Sequence, residues 1–79
     1  MYKEQLEKMF NEALEIQKTK YPERAESHHK VAAIVAVGAL RDSLTAIHGA
    51  NNIPLEALLA MRDLMNKTND LVYKTINPV

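Results

Sequence analysis

The stretch Val31-Ala32-Ala33-Ile34-Val35-Ala36-Val37-Gly38-Ala39-Leu40 decides the fold. Four of its residues, Val31, Ile34, Val35 and Val37, are β-branched and would suit a strand. The interleaved alanines favour a helix. So does the stripe that runs through the stretch and beyond it. Ala33, Val37, Leu40, Leu44 and Ile47 recur in steps of four and three, the spacing of one helix face. Val31, Ile34, Val35 and Gly38 add a second apolar face, so this helix is apolar nearly all round over one half. Ala32 and Ala36, with Val35 and Ala39, are spaced to let another helix approach closely. A short chain has little with which to cover two faces. Val31, Ala32, Ile34, Val35 and Gly38 are therefore expected to form a contact between subunits.

Working outward, the punctuation is clear. This second helix is expected over about 24–48. Pro22 or Ser27 marks its start and Gly49 its end. The first helix is expected over about 2–19. Leu6, Met9, Phe10, Ala13 and Ile16 form its apolar stripe, and Tyr21-Pro22 ends it. Lys3 with Glu7, Glu4 with Lys8, and Lys8 with Glu12 are spaced as i,i+4 pairs. The third helix is expected over about 54–76, with Pro54 in its first turn and Leu58, Met61, Met65, Thr68, Val72 and Thr75 as its stripe. Asp63 with Lys67 and Asp70 with Lys74 belong to its wet face, and Asn77-Pro78 stops it. The short connection at 49–53 makes the last two helices antiparallel neighbours. The fold class is all-α: a single domain over 1–79, a small three-helix bundle with a central antiparallel hairpin, and a homo-oligomer.

Composition narrows the function classes. The chain has 79 residues and no cysteine, which excludes disulfides and Cys-based metal sites. So small a core is marginal, and self-association is the supplement left to it. Ten basic residues balance ten acidic ones, which argues against broad electrostatic binding to nucleic acid. The run from Val31 to Leu40 is shorter than the roughly 20 apolar residues of a spanning helix. No membrane role and a cytoplasmic location are expected.

The chemistry-bearing residues gather where the first helix ends and the second begins. Lys18, Lys20, Arg24, Lys30 and Lys74 are expected there, with Tyr21, His28, His29 and Tyr73. A helix start with cations nearby suits an anion, and an aromatic ring beside it suits stacking on a base. The expected ligand-binding set is Tyr21, Arg24, His28, His29, Lys30, Tyr73 and Lys74, for an anionic, nucleotide-like small molecule. The bland alternative is that these lysines satisfy helix dipoles and stay solvated.

No cofactor, metal or enzymatic activity is expected. His28 and His29 are adjacent, so they point about 100° apart on a helix and do not chelate one ion comfortably. Nucleophile elbows, H-E-x-x-H motifs and Gly-rich phosphate loops are missing. A helix-turn-helix reading of the last two helices offers only Leu55, Glu56 and Ala57 for base contacts. Met61 and Met65, with Met9, suit core filling. Arg41, Thr45 and His48 share a face that could meet a protein partner.

The pair of apolar helices over roughly 30–76, with Asn69 followed by Leu71 and Val72, resembles small phage helical proteins that sequester cyclic-nucleotide signals. The resemblance rests on these generic features and carries over no site residue. It implies capture without chemistry. The expected function is thus stoichiometric capture of an anionic ligand by a non-enzymatic accessory protein of bacterial or phage type. The alternative is a protein inhibitor or adaptor that presents an apolar helix face to a larger partner.

Overall fold

A computed structural model describes the backbone of residues 1–76 and the side chains of residues 1–69. The order is α1 (Tyr2–Lys20), a 3-10 segment (Pro22–Ser27), α2 (His28–His48) and α3 (Leu55–Ile76). Among the described residues there is no strand, so the all-α class holds. The Asn77-Pro78 stop lies outside the described residues.

Local chemistry explains the boundaries. Tyr21 precedes a proline, which pushes it out of helical geometry, to φ −131° and ψ 57°. Its N–H still closes α1 on the Gln17 carbonyl at 2.9 Å. Pro22 then opens a 3-10 segment rather than α2 itself. Arg24, at φ −109° and ψ 41°, breaks the helical path. α2 therefore starts at His28, directly after Ser27, the later of the two starts that the sequence offers. Ser27 precedes it but makes no side-chain cap; its hydroxyl donates to the Arg24 carbonyl at 3.1 Å. At the far end Gly49 takes φ 89°, a conformation that favours glycine, and its N–H bonds Thr45 at 2.9 Å. Pro54 stands just before α3, and its carbonyl accepts from Ala57 and Leu58.

The core is built on Leu6 of α1, Ala36, Leu40 and Leu44 of α2, and Ala57 and Met61 of α3. Met9, Phe10, Val37 and Leu64 pack against it, half-buried. α2 packs most extensively on α1 and less on α3, while α1 and α3 meet least. Three stripe positions read from the sequence are not buried: Ile16, Ile47 and Leu58 stand exposed. Ile47 lies in the last turn of α2, beyond the reach of its neighbours, and is 69% exposed. Thr68 is buried as its stripe position implies, with its hydroxyl donating to the Leu64 carbonyl. None of the expected i,i+4 ion pairs closes within 4 Å among the described residues; the one ion pair there joins the Met1 ammonium to Glu4 at 2.6 Å. Asp70 and Lys74 lie outside the described side chains.

α2 carries more apolar surface than the fold covers. Counted with its neighbouring turns, the stretch 22–48 contains an 18-residue window apolar enough to cross a membrane, which corrects the shorter estimate made from 31–40 alone. Only 28% of that window is buried inside the molecule. One side supplies Ala32, Ala33, Ala36, Leu40 and Leu44 to the interior. At 100° per residue, Val31, Ile34, Val35 and Gly38 lie on the opposite side from Leu40.

Two substitutions test this architecture by urea denaturation. Leu40→Ala, at a fully buried position, should destabilise the fold by about 2–5 kcal/mol. Gly49→Ala should cost about 1–3 kcal/mol through its positive φ. Equal stabilities for Leu40→Ala and Ile47→Ala would contradict the assigned core.

Candidate junction site between α1 and α2

The expected ligand residues fall into three groups in the structure. Tyr21 and Arg24 form the first. The guanidinium of Arg24 lies over the Tyr21 ring, 5.4 Å from its centroid, and both residues are exposed. Such a stack contributes roughly 0.5–1 kcal/mol at an exposed site. It also leaves guanidinium N–H groups facing water beside an aromatic face. Lys18, Lys20 and Lys30 are exposed as well.

His28 and His29 form the second group, and they differ sharply. His28 is 5% exposed, and its Nε2 lies 2.5 Å from the Tyr21 carbonyl. A carbonyl can only accept, so Nε2 carries the hydrogen. The same carbonyl also accepts from the Arg24 N–H at 3.0 Å. His28 thus ties the first turn of α2 to the end of α1, and it fixes the turn that presents Tyr21 and Arg24. His29 is half-buried, with its ring 6.2 Å from that of Phe10 at a 40° tilt. The third group, Tyr73 and Lys74, lies outside the described side chains.

The helix start differs from the sequence expectation too. The 3-10 segment runs directly into α2, and the His28 N–H already bonds the Ala25 carbonyl. Fewer N–H groups are therefore free there than at a helix that begins from an extended chain. The exposed cations of this segment, Lys18, Lys20, Arg24 and Lys30, stand with the exposed carboxylates Glu23 and Glu26. Among the described residues no group of three or more His, Cys, Asp or Glu is placed to hold a metal ion.

Among the described residues, the carboxyl held below its ordinary range is that of Glu4, through the hydrogen bond from the N-terminal ammonium, and it is exposed on the first turn of α1. It belongs to no site. Sequence reasoning missed the burial of His28, because adjacent histidines carry no signal of which one faces inward until the start of α2 is fixed. It also missed the open surface between α1 and α3, which depends on how far apart those helices lie.

Comparison of the chain with protein families, with curated proteins and with solved structures finds no match.

The anchoring role of His28 has a measurable consequence. His28→Ala removes a bond that contributes about 0.5–1.5 kcal/mol, together with buried packing. The variant should unfold at clearly lower urea than the wild type. Lys30→Ala, at an exposed position, should stay within about 0.5 kcal/mol of it. Equal midpoints for the two variants would remove His28 from this role.

Proposed function

We propose that the chain is a non-enzymatic binding protein that captures an anionic, nucleotide-like ligand at the α1–α2 junction. The observation that carries this is the Arg24–Tyr21 stack. It sets a planar, bidentate donor against an exposed ring, and guanidinium groups match phosphate oxygens in that geometry. Lys18, Lys20 and Lys30 add charge around it. Tyr21 stacks on the base, Arg24 and Lys30 hold phosphate, and His29 offers an edge for hydrogen bonding. His28 acts as a positioning residue through the Tyr21 carbonyl. The ligand leaves unchanged, and the protein acts by sequestration in the cytoplasm.

We further infer that α2 and α3 form an antiparallel hairpin and that the chain self-associates along the outer face of α2. Support for the hairpin comes from the joint burial of Leu40 and Leu44 with Ala57 and Met61 across a short connection. Support for association comes from Ile34 and Val35, 52% and 51% exposed on the side away from the core. Gly38 adds to it. A glycine inside a helix costs roughly 0.5–1 kcal/mol relative to alanine. Nothing lies within 4 Å of where its Cβ would be, so the monomer has no packing use for it. A second helix backbone drawn close does.

The molecule also exposes 5733 Å², where a monomer of 8.9 kDa would expose about 4,800 Å². The excess, about 930 Å², is of the same order as the roughly 800 Å² that one partner contributes to a standard interface. The same exposed face favours a second reading, an adaptor or inhibitor that places α2 against a larger protein.

Titration calorimetry with inorganic pyrophosphate, AMP, ADP and a linear dinucleotide tests the ligand. Binding should weaken as salt rises, and Arg24→Ala should lower affinity about tenfold or more. No heat from any of these probes, or binding indifferent to Arg24, would refute ligand capture at the junction. Light scattering tests the assembly. Val35→Glu should yield folded monomers. Gly38→Ala should weaken association while raising the stability of the isolated subunit. A monomeric wild type would discard self-association and turn attention to a protein partner on the same face.

A further inference from the structure

The outer face of α2 carries one row of residues from end to end: the N-cap Ser27, then Val31, Ile34 with Val35, Gly38 and Asp42. Steps of three and four keep the row on one side of the helix. We propose that a second copy docks on this row antiparallel, about a two-fold axis between Ile34 and Val35, and that Arg41 of each copy thereby completes the anion site at the other copy's junction. The pairing rests on the self-association and the anion capture proposed for α2 and the junction.

Charge decides the direction. Lys30, Arg41 and Asp42 are all exposed, and none of them joins an ion pair within 4 Å among the described residues. Asp42 stands on the row itself, since at 100° per residue it lies only about 20° around the helix from Val31. A parallel pair would set each of these charges beside its own copy, like against like. The antiparallel pair sets Asp42 of the partner subunit against Ser27, at the end of α2 that carries Lys30. It also brings Val31 level with the partner's Gly38. A branched side chain then sits over a position that has no Cβ and nothing of its own subunit within 4 Å. Ile34 and Val35, the two exposed apolar residues of the row, meet their copies at the axis.

The same geometry builds the site. Lys30 and Arg41 also lie about 20° apart around the helix, so they share one edge of the row. That edge of α2 bears no carboxylate. A two-fold axis perpendicular to both helices keeps each edge on one side of the pair, as with the charged flanks of a coiled coil. The partner's Arg41 therefore comes level with His28, about 3 Å along the axis from Lys30. Within one subunit the same two levels, His28 and Arg41, are about 20 Å apart. Glu23 and Glu26 are exposed on the 3-10 segment and offset part of the positive charge of Arg24 and Lys30. The partner's Arg41 restores the cationic excess on the flank beside Lys30. Two cations drawn level repel each other in an empty site, and a bridging phosphate relieves that repulsion. Anion binding and pairing therefore strengthen each other.

Inorganic pyrophosphate is the probe. In light scattering it should raise the associated fraction of the wild type and leave that of Arg41→Ala unchanged. In titration calorimetry Arg41→Ala should lose affinity for pyrophosphate about tenfold or more, with an unaltered circular dichroism spectrum. Mixing variants reads the sharing directly. A pair made of Arg24→Ala and Arg41→Ala keeps one intact site, with Arg24 and Lys30 from one copy and Arg41 from the other. The mixture should recover tight binding that neither variant shows alone. The chain has no cysteine of its own, so a short bismaleimide should join Lys30→Cys to Arg41→Cys in a mixture and join neither to itself. No recovery on mixing would overturn the shared site and leave capture within one copy. A wild type that binds no pyrophosphate would overturn the shared site together with the ligand reading beneath it, and the cross-link would still decide the pairing. Cross-linking of either cysteine variant with itself would overturn the antiparallel direction, and a wild type that stays monomeric with pyrophosphate would overturn the pairing.

Discussion

The side chains that α2 turns inward are small at its start and large further along. Ala32, Ala33 and Ala36 come first, all buried, and Leu40 and Leu44 follow. Alanines bring neighbouring helix backbones close, and leucines fill the space between them. Leu6 from α1 and Ala57 and Met61 from α3 meet this one side of α2. The rest of the architecture follows from it. α1 and α3 both crowd to the same side of the central helix, and neither reaches around to Ile34, Val35 or Gly38. The radius of gyration, 13.5 Å, exceeds the roughly 12 Å of a compact chain of this length. The extents of 40 × 28 × 19 Å describe a slab rather than a sphere. A slab leaves a larger share of apolar atoms at the surface than a sphere of equal mass does.

Much of this was legible in the sequence, for identifiable reasons. The three helices followed from 3.6-residue periodicity, and their ends from residues with few conformational options: Pro22, Gly49 and Pro54. The second apolar face of α2 was visible in the spacing of Val31, Ile34, Val35 and Gly38. Ala32 was the exception. It was grouped with that face and is fully buried, because its position on the wheel lies toward the alanine side of the core. The 3-10 segment was not legible. Pro22 permits either an α or a 3-10 start, and the choice rests on the unusual backbone of Arg24. Stripe periodicity also overstated burial at helix ends. Ile16 and Ile47 keep the period but lie where no neighbour extends far enough to cover them.

The junction was legible as a collection of residue types and not as an arrangement. Sequence placed Tyr21, Arg24, His28 and His29 within one short stretch, and nothing in their order distinguished ligand contacts from supports. The kink at Arg24 divides them into an exposed pair, Tyr21 and Arg24, and a buried residue, His28. It turns the Arg24 guanidinium back over the Tyr21 ring and leaves His28 as the first residue of α2, facing inward. A buried imidazole needs a partner for its N–H, and the Tyr21 carbonyl, which also accepts from the Arg24 N–H, supplies it. The tie between the two helices and the shape of the exposed stack thus come from one turn.

Phe10 joins the two sides of the molecule. Its ring tilts against His29 at the start of α2, and the same residue lines the groove between α1 and α3. Proximity alone transmits nothing; coupling needs an element with two arrangements that both sites bias differently. The tilted contact between two half-buried rings has more freedom to rearrange than the close-packed interior around Leu40. The tie at His28 has less, because its imidazole is buried and its hydrogen bond is short. His28 and the Phe10–His29 contact therefore hold the start of α2 to α1 by two different means, a hydrogen bond to the Tyr21 carbonyl and the packing of one ring on another.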